Sequence, residues 1–407
     1  MSDLVTRAQI TLLSRTLHVP AERLAHLEKL GARHLHELQE AMAKVIFAQH
    51  NQTFARLSML VPIIPLSISL PLVQRVVPAV IAGRAAGAIG VEHPRKAAEA
   101  VCMLKPSYAA DGAPYMDPHA VGQLADIAPP EPVVAIVNEI LRRGDYVTAG
   151  PFLAYATPAL IKAVERGTHD DEGLIRSAAY AYSGESISMV VRHLLDGIEQ
   201  RIPRLIQTIL KGSDELKLAA VSVFARCDTD VIVGIGDILF DEGSAEDIAA
   251  LVRTFIAAGA IPETLRFVGQ LSPSALDLLA ANPVLTEQES IHTLTATIDG
   301  GTDAATWRGL LELAERTAPA LARRIGATVS HLEADALAQL PAILTAADLW
   351  PSVLRVLAVA EPDAQSRIGQ AWSMLADPDR RELAERITEL DLSEQLSALA
   401  ATLQIAH

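Results

Sequence analysis

The sequence predicts an all-α protein of stacked short helices, an α-solenoid or superhelix with a distinct N-terminal helical region. Three observations carry this expectation. First, half of the 407 residues are hydrophobic, yet only 4% are aromatic, and mean hydropathy is +0.26. The apolar content is therefore Ala, Leu, Val and Ile, which suits closely packed helices. Second, a capping-type residue recurs in front of proline, with helical apolar spacing after it. Third, strand signals are isolated. VIVGIGDILF (231–240) starts β-branched, but Ile232, Ile235, Ile238 and Leu239 fit a helix that Asp230 opens.

Charge divides the chain. Residues 1–100 carry 11 Lys/Arg and 7 Asp/Glu, a balance of +4. The whole chain has 34 basic and 49 acidic residues, so the remainder stands at 23 − 42 = −19. Six of the 12 histidines also fall in the first hundred. Two regions are expected: an N-terminal amphipathic helix plus apolar helical segment over 1–95, and a helical stack over 96–407.

The first region opens after Pro20. The apolar series Leu24, Leu27, Gly31, Leu35, Leu38, Met42, Val45 advances by threes and fours, a coiled-coil type stripe. A helix is expected near 21–49. Its stripe packs on the chain's own core or forms a partner or homodimer seam. Next comes Leu57 to Gln74, which Pro62, Pro65 and Pro71 interrupt. No helix spanning a bilayer is expected there. Gly83, Gly87 and Gly90 then recur around Arg84, and such spacing permits tight helix–helix contact. Segment 57–91 is expected as a buried hairpin. Its alternative role is a wedge against lipid or an apolar ligand, with Arg56, Arg75, Arg84, Arg95 and Lys96 at the water level.

From about residue 95 the capped starts follow: Asp117-Pro118, Thr157-Pro158, Ser272-Pro273, Asn282-Pro283 and Asp377-Pro378, with Glu131-Pro132 and Glu361-Pro362 as looser variants. The side chain accepts from the first free amides, and proline at the first helical position sacrifices no bond. Gly144, Gly167 and Gly259 are expected helix ends. This texture over about 115–400 resembles armadillo/HEAT-type repeats, and in particular the cytosolic N-terminal superhelix of MgtE magnesium transporters. No CBS module and no transporter membrane domain accompany it, so magnesium transport does not carry over. The resemblance implies a superhelical interaction scaffold with a protein partner.

Function classes are narrowed by composition. A net charge of −15 argues against a nucleic-acid partner, which requires a basic field. Cys102 and Cys227 lie 125 positions apart and make neither a metal spacing nor a disulfide framework, which fits a reducing cytosol. No secretory leader is legible at the start. A cytoplasmic location is expected, peripheral to a membrane if 57–91 contacts lipid. His34 and His36 point to nearly opposite helix faces and cannot chelate one ion. Ser186 lacks the second glycine of a nucleophile elbow. Asp170, Asp171 and Glu172 favour a helix N-terminus. No cofactor or metal motif is present, and the chain is expected to bind rather than catalyse. One loop stands out, 105–121: Tyr108, Asp111, Tyr115, Asp117 and His119 gather around Gly112 and Pro114. They form a candidate ligand rim, to which Arg75 and Arg84 add positive charge.

Overall fold

The computed structural model describes residues 4–58, 65–197 and 200–403. Every regular element among them is helical, and no strand occurs. The chain divides into two compact units, Met1–Val231 and Ile232–His407. The compositional boundary near residue 95 lies inside the first of these. No described helix is long and apolar enough to cross a membrane.

The first unit begins with α1 (Leu4–Leu17), a 3-10 segment (Ala21–Leu30) and α2 (Gly31–Ser58). Then follow α3 (Leu66–Val76), α4 (Ala79–Glu92), α5 (Pro94–Met103), α6 (Pro106–Gly112), α7 (Pro118–Gly122) and α8 (Pro130–Arg142). The remaining helices are α9 (Tyr146–Phe152), α10 (Pro158–Gly167), α11 (Asp171–Ala178), α12 (Gly184–Leu195), α13 (Arg201–Lys211) and α14 (Asp214–Phe224), and α15 (Thr229–Glu242) runs through the boundary between the units. Stacking is by alternate helices. One row runs α4, α6, α8, α10, α12. The other runs α7, α9, α11 and on to α13 and α14. Side-chain caps open several of these helices. Asp117 accepts from the His119 amide at 3.0 Å, Thr157 from Leu160 at 3.3 Å and Asp170 from Gly173 at 2.8 Å. These are the expected caps, with proline next in line after Asp117 and Thr157.

The N-terminal helix departs from expectation. Gly31 at φ 73°, ψ 166° breaks the rod, a backbone state that glycine adopts at little cost. Residues 21–30 wind as 3-10 helix, and only 31–58 is α. Leu24, Leu27, Leu35 and Leu38 pack with Ile10 and Leu13 of α1. Met42 and Val45, further along the stripe, are 39% and 57% exposed. α1 packs on α2, so the Leu24–Leu38 part of the stripe is buried within the chain, and the pair reaches other helices of the unit. Arg15 pairs with Asp145, and His36 stacks on Tyr182 with ring centroids 3.8 Å apart.

Two further expectations are corrected. Pro71 does not break its segment; it sits inside α3 on the exposed side, where water takes up the Ser67 carbonyl that loses its amide partner. Pro62 and the side chains of Arg56 and Leu57 lie outside the described residues. The span 105–121 is not a loop. Pro106 opens α6, a 3-10 turn covers Ala113–Tyr115, and Pro118 opens α7. Alanines and N-terminal prolines outweigh the Gly112-Ala-Pro114 signal.

The glycine run of α4 does what its spacing suggests. A Cβ on Gly83 would lie 2.2 Å from the Gly112 carbonyl oxygen, and one on Gly90 would lie 2.8 Å from Leu124 Cδ1. The α4–α6 crossing is therefore backbone against backbone.

In the second unit, helices from Ala245–Ala258 to Ser397–Thr402 stack in the same alternate manner. Ser244 forms a reciprocal capping box with Asp247. Ser272 accepts from the Ala275 amide, and Asn282 accepts from Val284. Asp377 is a correction: it is the first helical residue, not the cap, and pairs with Arg380. Gly259 closes its helix at φ 71°. Buried Trp372 meets Trp350 edge-to-face at 5.3 Å and donates its indole N–H to the Leu337 carbonyl at 3.1 Å. Aromatics are scarce, but these two anchor the core.

Candidate ligand-binding site

One cavity of the first unit, about 100 Å³ in volume, brings together α1, α2, α4, the Ala113–Tyr115 turn and α9. Each element supplies a distinct chemistry. α1 presents Leu12, Arg15 and Thr16; α2 presents Gln39, Ile46 and Phe47; α4 contributes Arg84. The turn offers Tyr115 and Met116, and α9 closes the wall with Val147, Thr148 and Phe152. The lining mixes polar groups with aliphatic and aromatic ones, as in ligand sites generally.

The polar groups are largely pre-ordered. Arg15 Nη2 donates to both oxygens of Asp145, each at 2.7 Å, and to Thr148 Oγ1 at 3.2 Å. Gln39 Nε2 donates to Thr16 Oγ1 at 3.1 Å. Asp145 thus neutralises Arg15. Arg84 differs: its guanidinium lies over the Tyr115 ring, 5.8 Å from the centroid, and no ion pair joins it to a described carboxylate. A half-buried arginine held by a π-face keeps its donors available.

His18 enters from the end of α1. Its φ is +53°, and the Val19 amide donates back to Ser14 O at 3.0 Å. This is the Schellman closure, with histidine where glycine is usual. The imidazole then stands 6.0 Å from the Tyr115 ring. A left-handed L-residue costs roughly 1–2 kcal/mol, and such strain gathers at functional positions. His18→Gly removes that cost but adds about 0.4–1 kcal/mol of unfolded-chain entropy. A net gain of roughly 0.5–1 kcal/mol is expected, read as a melting midpoint about 1–4 °C higher. Calorimetry checks it; a fall in midpoint contradicts the strain.

Of the seven sequence-predicted residues, the cavity gathers two, Tyr115 and Arg84. Asp117 is spent on the α7 cap. His119 Nδ1 lies 2.6 Å from the Tyr155 hydroxyl, and burial leads the upward push on that phenol's pKa. Asp111 pairs with Arg143 at 2.6 Å. Arg143 also holds Glu139, whose carboxyl Arg142 and Arg143 together draw down to about 2. Tyr108 donates to the Val77 carbonyl at 2.9 Å, and burial raises its pKa. Arg75 is exposed on α3.

Sequence reasoning missed Arg15, His18, Gln39 and the residues of α9. They lie far from 105–121 in the chain, and no local spacing links them. The available signal was Leu17-His18-Val19-Pro20, a helix stop without glycine. Among the described residues no group of His, Cys, Asp and Glu gathers as a metal site requires. Cys227 is buried, which pushes its thiol up to about 12; Cys102 is exposed.

A comparison with known protein families finds no family model that matches the chain. A comparison with curated proteins finds no match either.

Proposed function

We propose that this chain works by binding, as a stacked-helix scaffold of the kind the MgtE-type texture implies. Its Arg84–Tyr115 cavity takes the charged end of a small amphipathic anion. The observation that carries this reading is Arg84, stacked on Tyr115 at 5.8 Å with no described carboxylate against it, in a cavity that Ile46, Phe47 and Phe152 also line. A carboxylate or phosphate would meet the guanidinium fork, and its short apolar tail would lie along Phe47 and Phe152. Size narrows the choice. Drug-sized ligands occupy roughly 300–1,000 Å³, whereas this cavity is about 100 Å³. A head group or short acid fits, and a longer tail would leave through the mouth.

Titration calorimetry with short alkyl and aryl carboxylates and phosphate monoesters tests the reading. Hydrogen bonds to charged groups contribute about 1.5–3 kcal/mol. Arg84→Gln is therefore expected to weaken the best ligand by roughly tenfold or more. Arg143→Gln, outside the cavity, leaves affinity unchanged. Equal affinity for the parent and Arg84→Gln, or no heat with any acid, overturns the proposal.

A further inference from the structure

A second surface of the first unit is unexplained by the cavity. α3 has 11 residues and buries only Leu70. Its opposite side carries Ile68, Leu72 and Val76, which are 66%, 62% and 68% exposed. Steps of four align these three along one face, and exposed Arg75 lies among them. A soluble surface rarely holds a contiguous aliphatic stripe without a purpose.

Charge says what covers it. Residues 41–91 contain Lys44, Arg56, Arg75 and Arg84 and not a single Asp or Glu, in a chain whose net charge is −15. One further cation lies next to the helix. The Lys105 amide donates to Gln74 Oε1 at 2.7 Å, which brings exposed Lys105 beside the C-terminal end of α3. α5 packs on α3 and carries Arg95 and Lys96 against Glu99. The acidic remainder of the chain repels an anionic surface, so this segment is the part that approaches one. A second copy of the chain is a poor occupant. A two-fold contact through the stripe sets Arg75 against its own equivalent.

We infer that α3 is an interfacial anchor: Ile68, Leu72 and Val76 enter the acyl boundary of an anionic lipid bilayer while Arg75 meets the headgroups. The helix lies in the surface and does not span it, because spanning takes about 20 residues. This proposal is independent of the cavity ligand, since neither α3 nor Arg75 lines the cavity.

Co-sedimentation of the full chain with vesicles is the test. The chain is expected to pellet with vesicles of phosphatidylcholine and phosphatidylserine, less so as salt rises, and weakly with phosphatidylcholine alone. The combined variant Ile68→Ser, Leu72→Ser, Val76→Ser is expected to lower partitioning by more than about tenfold. Arg75→Gln lowers binding to the anionic vesicles only. All four side chains are exposed, so helicity and melting of the variants stay at the parent values. Three results overturn the anchor: no pelleting of the parent, equal pelleting of the serine variant, or self-association of the parent that the serine variant abolishes.

Discussion

Replacing Asp171 by alanine is expected to destabilise the first unit by about 3–5 kcal/mol. At roughly 2–4 °C per kcal/mol for a unit of this size, the midpoint falls by roughly 6–20 °C. The reason is Arg201, whose side chain is 1% exposed. Its Nη1 donates to the carbonyls of Glu165 and Thr168, both at 2.7 Å, and its Nη2 lies 2.5 Å from Asp171 Oδ1. The second Asp171 oxygen receives Arg204 Nε at 2.7 Å. Burial holds the Arg201 guanidinium below its ordinary pKa, and the Asp171 charge opposes that shift. Without the carboxylate a buried cation stands uncompensated. Arg201→Met removes the charge together with the need for a partner and is expected to cost less than Asp171→Ala. The double variant then recovers part of the loss, a coupling that a double-mutant cycle in thermal unfolding measures. Additive costs contradict the pairing.

Gly83→Ala should cost about 3 kcal/mol, for a different reason. Its Cβ would lie 2.2 Å from the Gly112 carbonyl oxygen, and backbone cannot step aside as a flexible side chain can. Overpacking of this kind costs typically 1–3 kcal/mol, occasionally more. The contact also sets the site. Gly83 precedes Arg84 on α4, and Gly112 precedes the turn that carries Tyr115, so pushing α4 from α6 separates the guanidinium from its ring. Gly83→Ala is therefore expected to lower the midpoint by roughly 6–12 °C and to weaken anion binding. Gly87→Ala, whose Cβ meets Ala120 Cβ at 3.3 Å, should be far milder. Thermal unfolding of the two variants side by side checks the difference; equal effects contradict the close crossing.

These two sites show what the sequence makes legible. The four-residue glycine spacing on α4 is local, and its meaning, close approach, follows from helix geometry alone. The caps at Asp117, Thr157 and Ser272 were legible for the same reason. Asp170, Asp171 and Glu172 mark a helix start by their charge alone, and Asp170 caps α11. The partner of Asp171 lies thirty residues on, and only the stacking of α13 against α11 brings it there. The cavity repeats the lesson. Tyr115 and Arg84 stood out because aromatics are rare and Arg84 sits alone among glycines. Arg15, His18 and Phe152 did not, because their proximity is a product of alternate stacking and of an N-terminal pair laid across α9. The rod expected over 21–49 is broken at Gly31 and is 3-10 before it: the periodicity of the leucines runs through Gly31, but the backbone does not.

Anomalous scattering from crystals grown with a bromine-labelled short carboxylate tests the binding account most directly. The carboxylate is expected on the Arg84 guanidinium, beside Tyr115, with bromine against Phe47 and Phe152. Bromine found only elsewhere, or a ligand seated in the cavity with its carboxylate turned away from Arg84, would contradict it.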